Sequence, residues 1–149
     1  MKTGVFVGSF DPFTIGHDDI VRRALPLFDR LVIGVVGDNV HKPDMQPATE
    51  RMQAIRQLYA DCPTIEVLPY SGLAVAFARE QGAHYIIKGV RSVKDFEYER
   101  EQAEVNRQIS GIDTLLLFAD PRYASVSSTM VRELRHFGVD ITPFLPGKS

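Results

Sequence analysis

Cysteine is nearly missing from this chain: Cys62 stands alone, so an intrachain disulfide or a cysteine zinc site is excluded and a reducing compartment is the simplest setting. Its plain role is that of a small, semi-buried residue. No sign of charge dominates either. Seventeen basic residues against 19 acidic ones leave a net charge of −2, and the basic residues are dispersed, which argues against a general nucleic-acid or anionic-membrane binder. No apolar run approaches the roughly 20 residues that a membrane helix needs. The chain opens directly on a strand, without the charged and apolar regions of a signal peptide, so a soluble, cytoplasmic protein is expected. Repeats, low-complexity tracts and linkers are also absent. Residues 1–149 are therefore read as one domain, long enough to bury a sizeable core.

What is present is a regular alternation. Strands are predicted at Thr3 to Val7, Leu31 to Val36, Thr64 to Leu68, His84 to Lys88 and Thr114 to Phe118; several are near-continuous apolar runs, as parallel strands covered on both faces should be. Helical patterns lie between and after them, at Asp18 to Phe28, Glu50 to Ala60, Leu73 to Gln81, Val93 to Ile109 and Met130 to Phe137. Pro26 should kink or shorten the first. Thr49, Ser71 and Ser92 are the expected N-caps, with Gly82 closing the third helix. The fold class expected is α/β: a Rossmann-like, doubly wound, five-stranded parallel sheet with helices on both faces. The tail from Asp140 to Ser149, with two prolines and a glycine, should wrap the surface or pack on a neighbouring subunit.

Three turns at the carboxyl edge of such a sheet carry residues suited to phosphate. The stretch Gly8 to His17 leaves the first strand, turns tightly and sets an imidazole at a helix N-terminus, where free N–H groups and the helix dipole favour anions. Gly16 would let a phosphate oxygen approach the backbone. The plain alternative is a mere turn and helix start. After the fourth strand, Lys88-Gly89-Val90-Arg91-Ser92 places two cations around a glycine, opposite His17 if the strand order reverses there. Taken alone, either cation could be an ordinary solvated charge. After the fifth strand, Tyr123 to Glu133 runs a hydroxyl cluster into a helix start, able to share an anion or, more plainly, to supply redundant caps.

These motifs together resemble the nucleotidylyltransferase superfamily, whose H-x-G-H signature is here Thr14-Ile15-Gly16-His17; the threonine is the version of the bacterial phosphopantetheine adenylyltransferases. The run Lys88 to Arg91, the acidic-aromatic helix Asp95-Phe96-Glu97-Tyr98-Glu99 with Asn106-Arg107, and Val126-Ser127-Ser128-Thr129-Met130-Val131-Arg132 for I-S-S-T-x-x-R complete the likeness. It covers essentially the whole chain. Departures are Ser9 for threonine, Lys88 for arginine, which keeps the charge but loses the planar fork, Val126 for isoleucine, and a short tail.

The resemblance implies adenylyl transfer from ATP to 4′-phosphopantetheine, giving dephospho-coenzyme A and pyrophosphate. It implies His17 as transition-state stabiliser, with Lys42 and Arg91 assisting. ATP would meet Ser9, Phe10, His17, Gly89, Val90, Arg91, Glu99, and Tyr123, Ala124, Ser125, Val126, Ser127, Ser128 and Thr129. Phosphopantetheine would meet Ser9, Lys42, Ala74 and Lys88. Without that resemblance, Glu99 reads as a surface acid paired to a neighbouring arginine, Lys42 as an exposed loop lysine, and Ala74 as core packing. No tight carboxylate or histidine cluster supplies a metal cage, so Mg2+ is expected to arrive with ATP. A homohexamer and feedback by coenzyme A are implied by the family alone. Rival readings are a sister enzyme acting on nicotinamide mononucleotide or glycerol phosphate, and a non-catalytic nucleotide-binding module.

Overall fold

The computed structural model describes residues 1–37 and 45–147. Five strands, β1 (Thr3–Gly8), β2 (Arg30–Val36), β3 (Ile65–Tyr70), β4 (Tyr85–Val90) and β5 (Asp113–Phe118), alternate with helices α1 (Ile15–Ala24), α2 (Ala48–Leu58), α3 (Ala74–Glu80) and α4 (Val93–Ser110), and α5 (Ser128–His136) follows. All pairings are parallel and the strand order is β3-β2-β1-β4-β5. The chain winds outward from β1 to β3, then returns to set β4 on the other side of β1. At that reversal the connections leaving β1 and β4 diverge, and a crevice opens at the carboxyl edge.

The period of two along each strand divides the core. Phe6, Ile33 and Ile87 face one side with Ile20 and Val21 of α1 and Met52 and Ile55 of α2, while Val5, Val7, Val32 and Ile86 face the other with Val75, Phe77 and Ala78 of α3. A doubly covered sheet is thus built from the near-continuous apolar runs that the sequence shows. Gly34 exists for packing reasons: a Cβ there would lie 2.6 Å from the Phe77 ring.

Helix boundaries follow local chemistry. α1 stops at Ala24 and a 3-10 turn, Leu25–Leu27, takes up Pro26, the shortening that proline requires. Ser92 caps α4 by accepting from Asp95 N, and Gly111, at φ 77°, ends it in the left-handed region. Two expected caps are corrected. α2 begins one residue before Thr49, with the Pro47 carbonyl accepting from Glu50 N and Arg51 N, and α3 begins after Leu73 rather than from Ser71; neither has a side-chain cap. A serine or threonine caps only when it falls in the extended residue just before the first turn, and here that place went to Pro47 and Leu73.

Candidate active site

A cleft of about 760 Å³ opens between the β1–α1 loop, the end of β4 with the first turns of α4, and the turn leading into α5. The first wall is set by α1. Thr14 is its N-cap: Thr14 Oγ1 accepts from His17 N at 3.4 Å, and His17 Nδ1 accepts from Thr14 N at 2.9 Å. This is a capping box in which histidine replaces the usual glutamate. Because Nδ1 is an acceptor, the neutral ring carries its proton on Nε2. Burial among the rings of Phe6, Phe10 and Phe13, with centroids 5.0 to 6.3 Å away, and secondarily the charge of Arg91, together push the His17 pKa down to about 4. At neutral pH His17 is therefore an uncharged Nε2–H donor lining the cleft.

Phe10, beside it, is buried and sits at φ 50°, a left-handed conformation that costs a non-glycine residue energy and is held by its packing on Phe6 and Phe13. Gly16 packs on the third wall. A Cβ there would be 3.7 Å from the Val126 carbonyl and 3.8 Å from that of Tyr123, ordinary contact distances, so the glycine serves to leave backbone open to the cleft rather than to make room for the neighbouring turn.

On the second wall, Lys88 and Arg91 line the cleft and each faces a carboxylate of α4: Lys88 Nζ lies 3.7 Å from Glu99 Oε2, and Arg91 Nε lies 3.4 Å from Asp95 Oδ2. Glu99 thus pairs with a lysine where an arginine was the plain expectation. The third wall runs from Tyr123 to Thr129. Here the hydroxyls have separate tasks. Ser127 Oγ accepts from Met130 N at 3.1 Å as the cap of α5, Ser128 Oγ donates to the Pro12 carbonyl at 2.7 Å, and Thr129 Oγ1 accepts from Arg132 Nη2 at 3.3 Å. Redundant capping is therefore not their explanation. Arg132 also donates to the Asp11 carbonyl, so α5 is stitched to the β1–α1 loop.

Of the residues singled out in the sequence, Ser9, Phe10, His17, Lys88, Gly89, Arg91, Glu99, Tyr123, Val126, Ser127, Ser128 and Thr129 all line this one cleft. Val90 is buried, with its carbonyl accepting from Ala119 N at 2.8 Å. Ala124 and Ser125 belong to the same turn without lining the cleft, Ser125 being exposed. Ala74 opens α3 and packs against the core cluster of Val75 and Phe77, outside the residues that line the cleft. Lys42 lies outside the described residues.

Sequence reasoning gave no site role to Asp11, Asp95 and Arg132, which also line the cleft, or to Arg51, which is buried. Arg132 closes the I-S-S-T-x-x-R pattern, and Asp95 stands four residues from Arg91, a spacing at which helical charges meet. Arg51 gave no such signal. It donates to the carbonyls of Ser9 at 2.9 Å, Val36 at 2.8 Å and Gln46 at 2.7 Å, holding the ends of β1 and β2 in place. Among the described residues no cluster of three or more histidine, cysteine or carboxylate side chains could hold a metal.

The cleft thus combines a neutral donor, three cations and a helix N-terminus, an arrangement suited to a polyphosphate. Comparison with known proteins agrees. A cytidylyltransferase-like family profile matches residues 5–134. A phosphopantetheine adenylyltransferase of Phocaeicola vulgatus is 49% identical over 146 residues, covering 98% of this chain and 96% of the relative. Another, of Porphyromonas gingivalis, is 49% identical over 142 residues, covering 95% and 92%. Among solved structures, a protein assigned as a nicotinate-nucleotide adenylyltransferase from Vibrio parahaemolyticus superposes with a TM-score of 0.67 at 17% identity, over 99% of this chain and 95% of that one. At that identity the likeness is one of fold. The chain belongs to the cytidylyltransferase-like family and, within it, to the phosphopantetheine adenylyltransferases.

Proposed function

We propose that this chain transfers the adenylyl group of ATP to the phosphate of 4′-phosphopantetheine, releasing pyrophosphate and forming dephospho-coenzyme A. The observation that carries the reading is the meeting of His17, Lys88, Arg91 and the 127–129 turn in one cleft of a chain from this family.

The acceptor phosphate attacks the α-phosphorus and the bond to the β-phosphate oxygen breaks. A phosphate monoester has a second pKa of about 6, so at neutral pH it is already an anionic nucleophile and needs no base. The protein is left with positioning and charge stabilisation. The Nε2–H of His17 donates to the oxygens that gain charge at the α-phosphate. Arg91, on the ATP side, and the N-terminus of α5 hold the remaining phosphates, while Lys88 holds the acceptor phosphate and Lys42 assists.

Magnesium fits as an ion carried by the nucleotide. Of the cleft carboxylates, Asp95 and Glu99 face cations, whereas Asp11 keeps one buried oxygen, Oδ1, with no hydrogen-bond partner among the described residues. Asp11 is the residue that would face such an ion, whose chemistry is to offset phosphate charge.

Two further expectations belong to the same reading. No helix among the described residues is long and apolar enough to cross a membrane; a cytoplasmic setting, where ATP is supplied, is part of the proposal. Exposed apolar surface supports self-association, for which the family's homohexamer is the assembly proposed. The 18-residue α4 has no buried residue and exposes Val93, Val105 and Ile109, and Phe118 and Phe137 stand 70% and 74% exposed.

Pyrophosphate release from ATP, measured with several acceptors in turn, tests the function. Release with 4′-phosphopantetheine and not with nicotinamide mononucleotide or glycerol phosphate is expected. Release only with one of the latter would identify a sister enzyme, and ATP binding without release on any acceptor would leave a non-catalytic module.

A further inference from the structure

We propose that Asp95 is a positioning residue that presents the guanidinium of Arg91 end-on to the nucleotide's phosphates. The inference rests on the adenylyl-transfer reading and adds to it a residue that contacts no substrate.

Asp95 is placed by the start of α4. Its backbone N donates to Ser92 Oγ at 3.1 Å, which sets it in the first turn on the side that lines the cleft. From there a single carboxylate oxygen, Oδ2, accepts from both the backbone N of Arg91 at 3.3 Å and its Nε at 3.4 Å. A guanidinium offers five N–H donors in a rigid fork, and engaging Nε leaves the Nη edge, the pair of nitrogens that can grip two phosphate oxygens at once. Among the described residues nothing accepts from either Nη. Arg91 is therefore oriented from behind and open in front. Arg91 and His17 line the same cleft, so a phosphate gripped by the open edge lies in the cleft that His17 also lines.

Both Asp95 contacts are long, and the pair is 43% and 36% exposed. Such a contact orients a side chain without neutralising it. The pairing of Lys88 with Glu99 one turn further along is looser, at 3.7 Å, and involves an ammonium that has no fork to aim. Orientation from α4 thus matters at Arg91 more than at Lys88.

The competing role is purely local: a carboxylate in the first turn of a helix complements the dipole and helps to cap it. A double-mutant cycle separates the two. Pyrophosphate release at saturating 4′-phosphopantetheine is followed against ATP concentration for wild type, Asp95→Ala, Asp95→Asn, Arg91→Ala and the double variant Arg91→Ala/Asp95→Ala, with melting temperatures alongside. Asp95→Ala is expected to lower kcat/KM for ATP about tenfold in wild type and less than about twofold when Arg91 is already alanine. Asp95→Asn, whose amide oxygen accepts the same two N–H groups, should stay within about threefold of wild type. An equal loss from Asp95→Ala in both backgrounds would overturn the inference, as would no loss in wild type. A wild-type protein that releases no pyrophosphate would overturn the adenylyl-transfer reading and this inference with it.

Discussion

Thr14 and His17 satisfy each other across the first turn of α1: the Thr14 backbone N–H donates to His17 Nδ1 at 2.9 Å while the Thr14 hydroxyl accepts from His17 N at 3.4 Å. One local motif caps the helix, chooses the tautomer and aims the only free ring nitrogen into the cleft.

If that nitrogen stabilises charge at the α-phosphate, His17→Ala should reduce kcat by roughly 10²- to 10³-fold, the usual effect of losing a preorganised donor. KM for ATP should change much less. Steady-state kinetics on a folded variant checks this, and turnover within about threefold of wild type would remove His17 from the mechanism.

The pH dependence follows from two different groups. His17, with its pKa near 4, stays neutral across the physiological range, so the fall in activity on acidification should follow the acceptor phosphate, at about pH 6. The same fall should persist in His17→Gln, at lower amplitude. A limb that disappears in this variant would make His17 the titrating group.

Stability should also respond to acid through His17. Its folded pKa lies below the unfolded value of 6.5, so the folded state binds fewer protons, and stability is lost as pH falls from about 6.5 to about 4. The gap between the two pKa values sets an upper limit of about 3 kcal/mol on that loss. Denaturant titrations of wild type and His17→Gln at pH 7 and pH 4.5 measure it as the difference in their sensitivity to acid.

For Lys88, replacement by arginine should preserve activity, because the charge stays and a fork is gained. Lys88→Ala should weaken binding of 4′-phosphopantetheine more than that of ATP. Calorimetric titration with each ligand distinguishes them, and unchanged acceptor affinity would contradict the role given to this lysine.

Gly34→Ala should destabilise the protein by about 1–3 kcal/mol, the usual cost of overpacking. Its new Cβ would meet the Phe77 ring at 2.6 Å in the middle of the sheet, with Val7 3.0 Å away on the same side. Thermal unfolding checks this, and an unchanged melting temperature would mean that Phe77 has room to move.

Much of this was readable in the chain because its signals are local. The apolar runs gave five strands, Pro26 gave the end of α1, and the three phosphate turns gave the walls of the cleft. The caps of α2 and α3 were misplaced, each by two residues, because so small a shift decides which side chain faces a free N–H. Arg51 was invisible because its partners are the carbonyls of Ser9, Val36 and Gln46, which carry no residue-type signal. The low pKa of His17 depends on rings and a guanidinium assembled by the fold, and no spacing announces it.

The structure of the complex with ATP tests the central claim most directly. It should place an α-phosphate oxygen about 3 Å from His17 Nε2, a normal hydrogen-bond distance, with the β- and γ-phosphates against residues 127–129 and Arg91. A nucleotide bound with its α-phosphate away from His17, or outside this cleft, would contradict it.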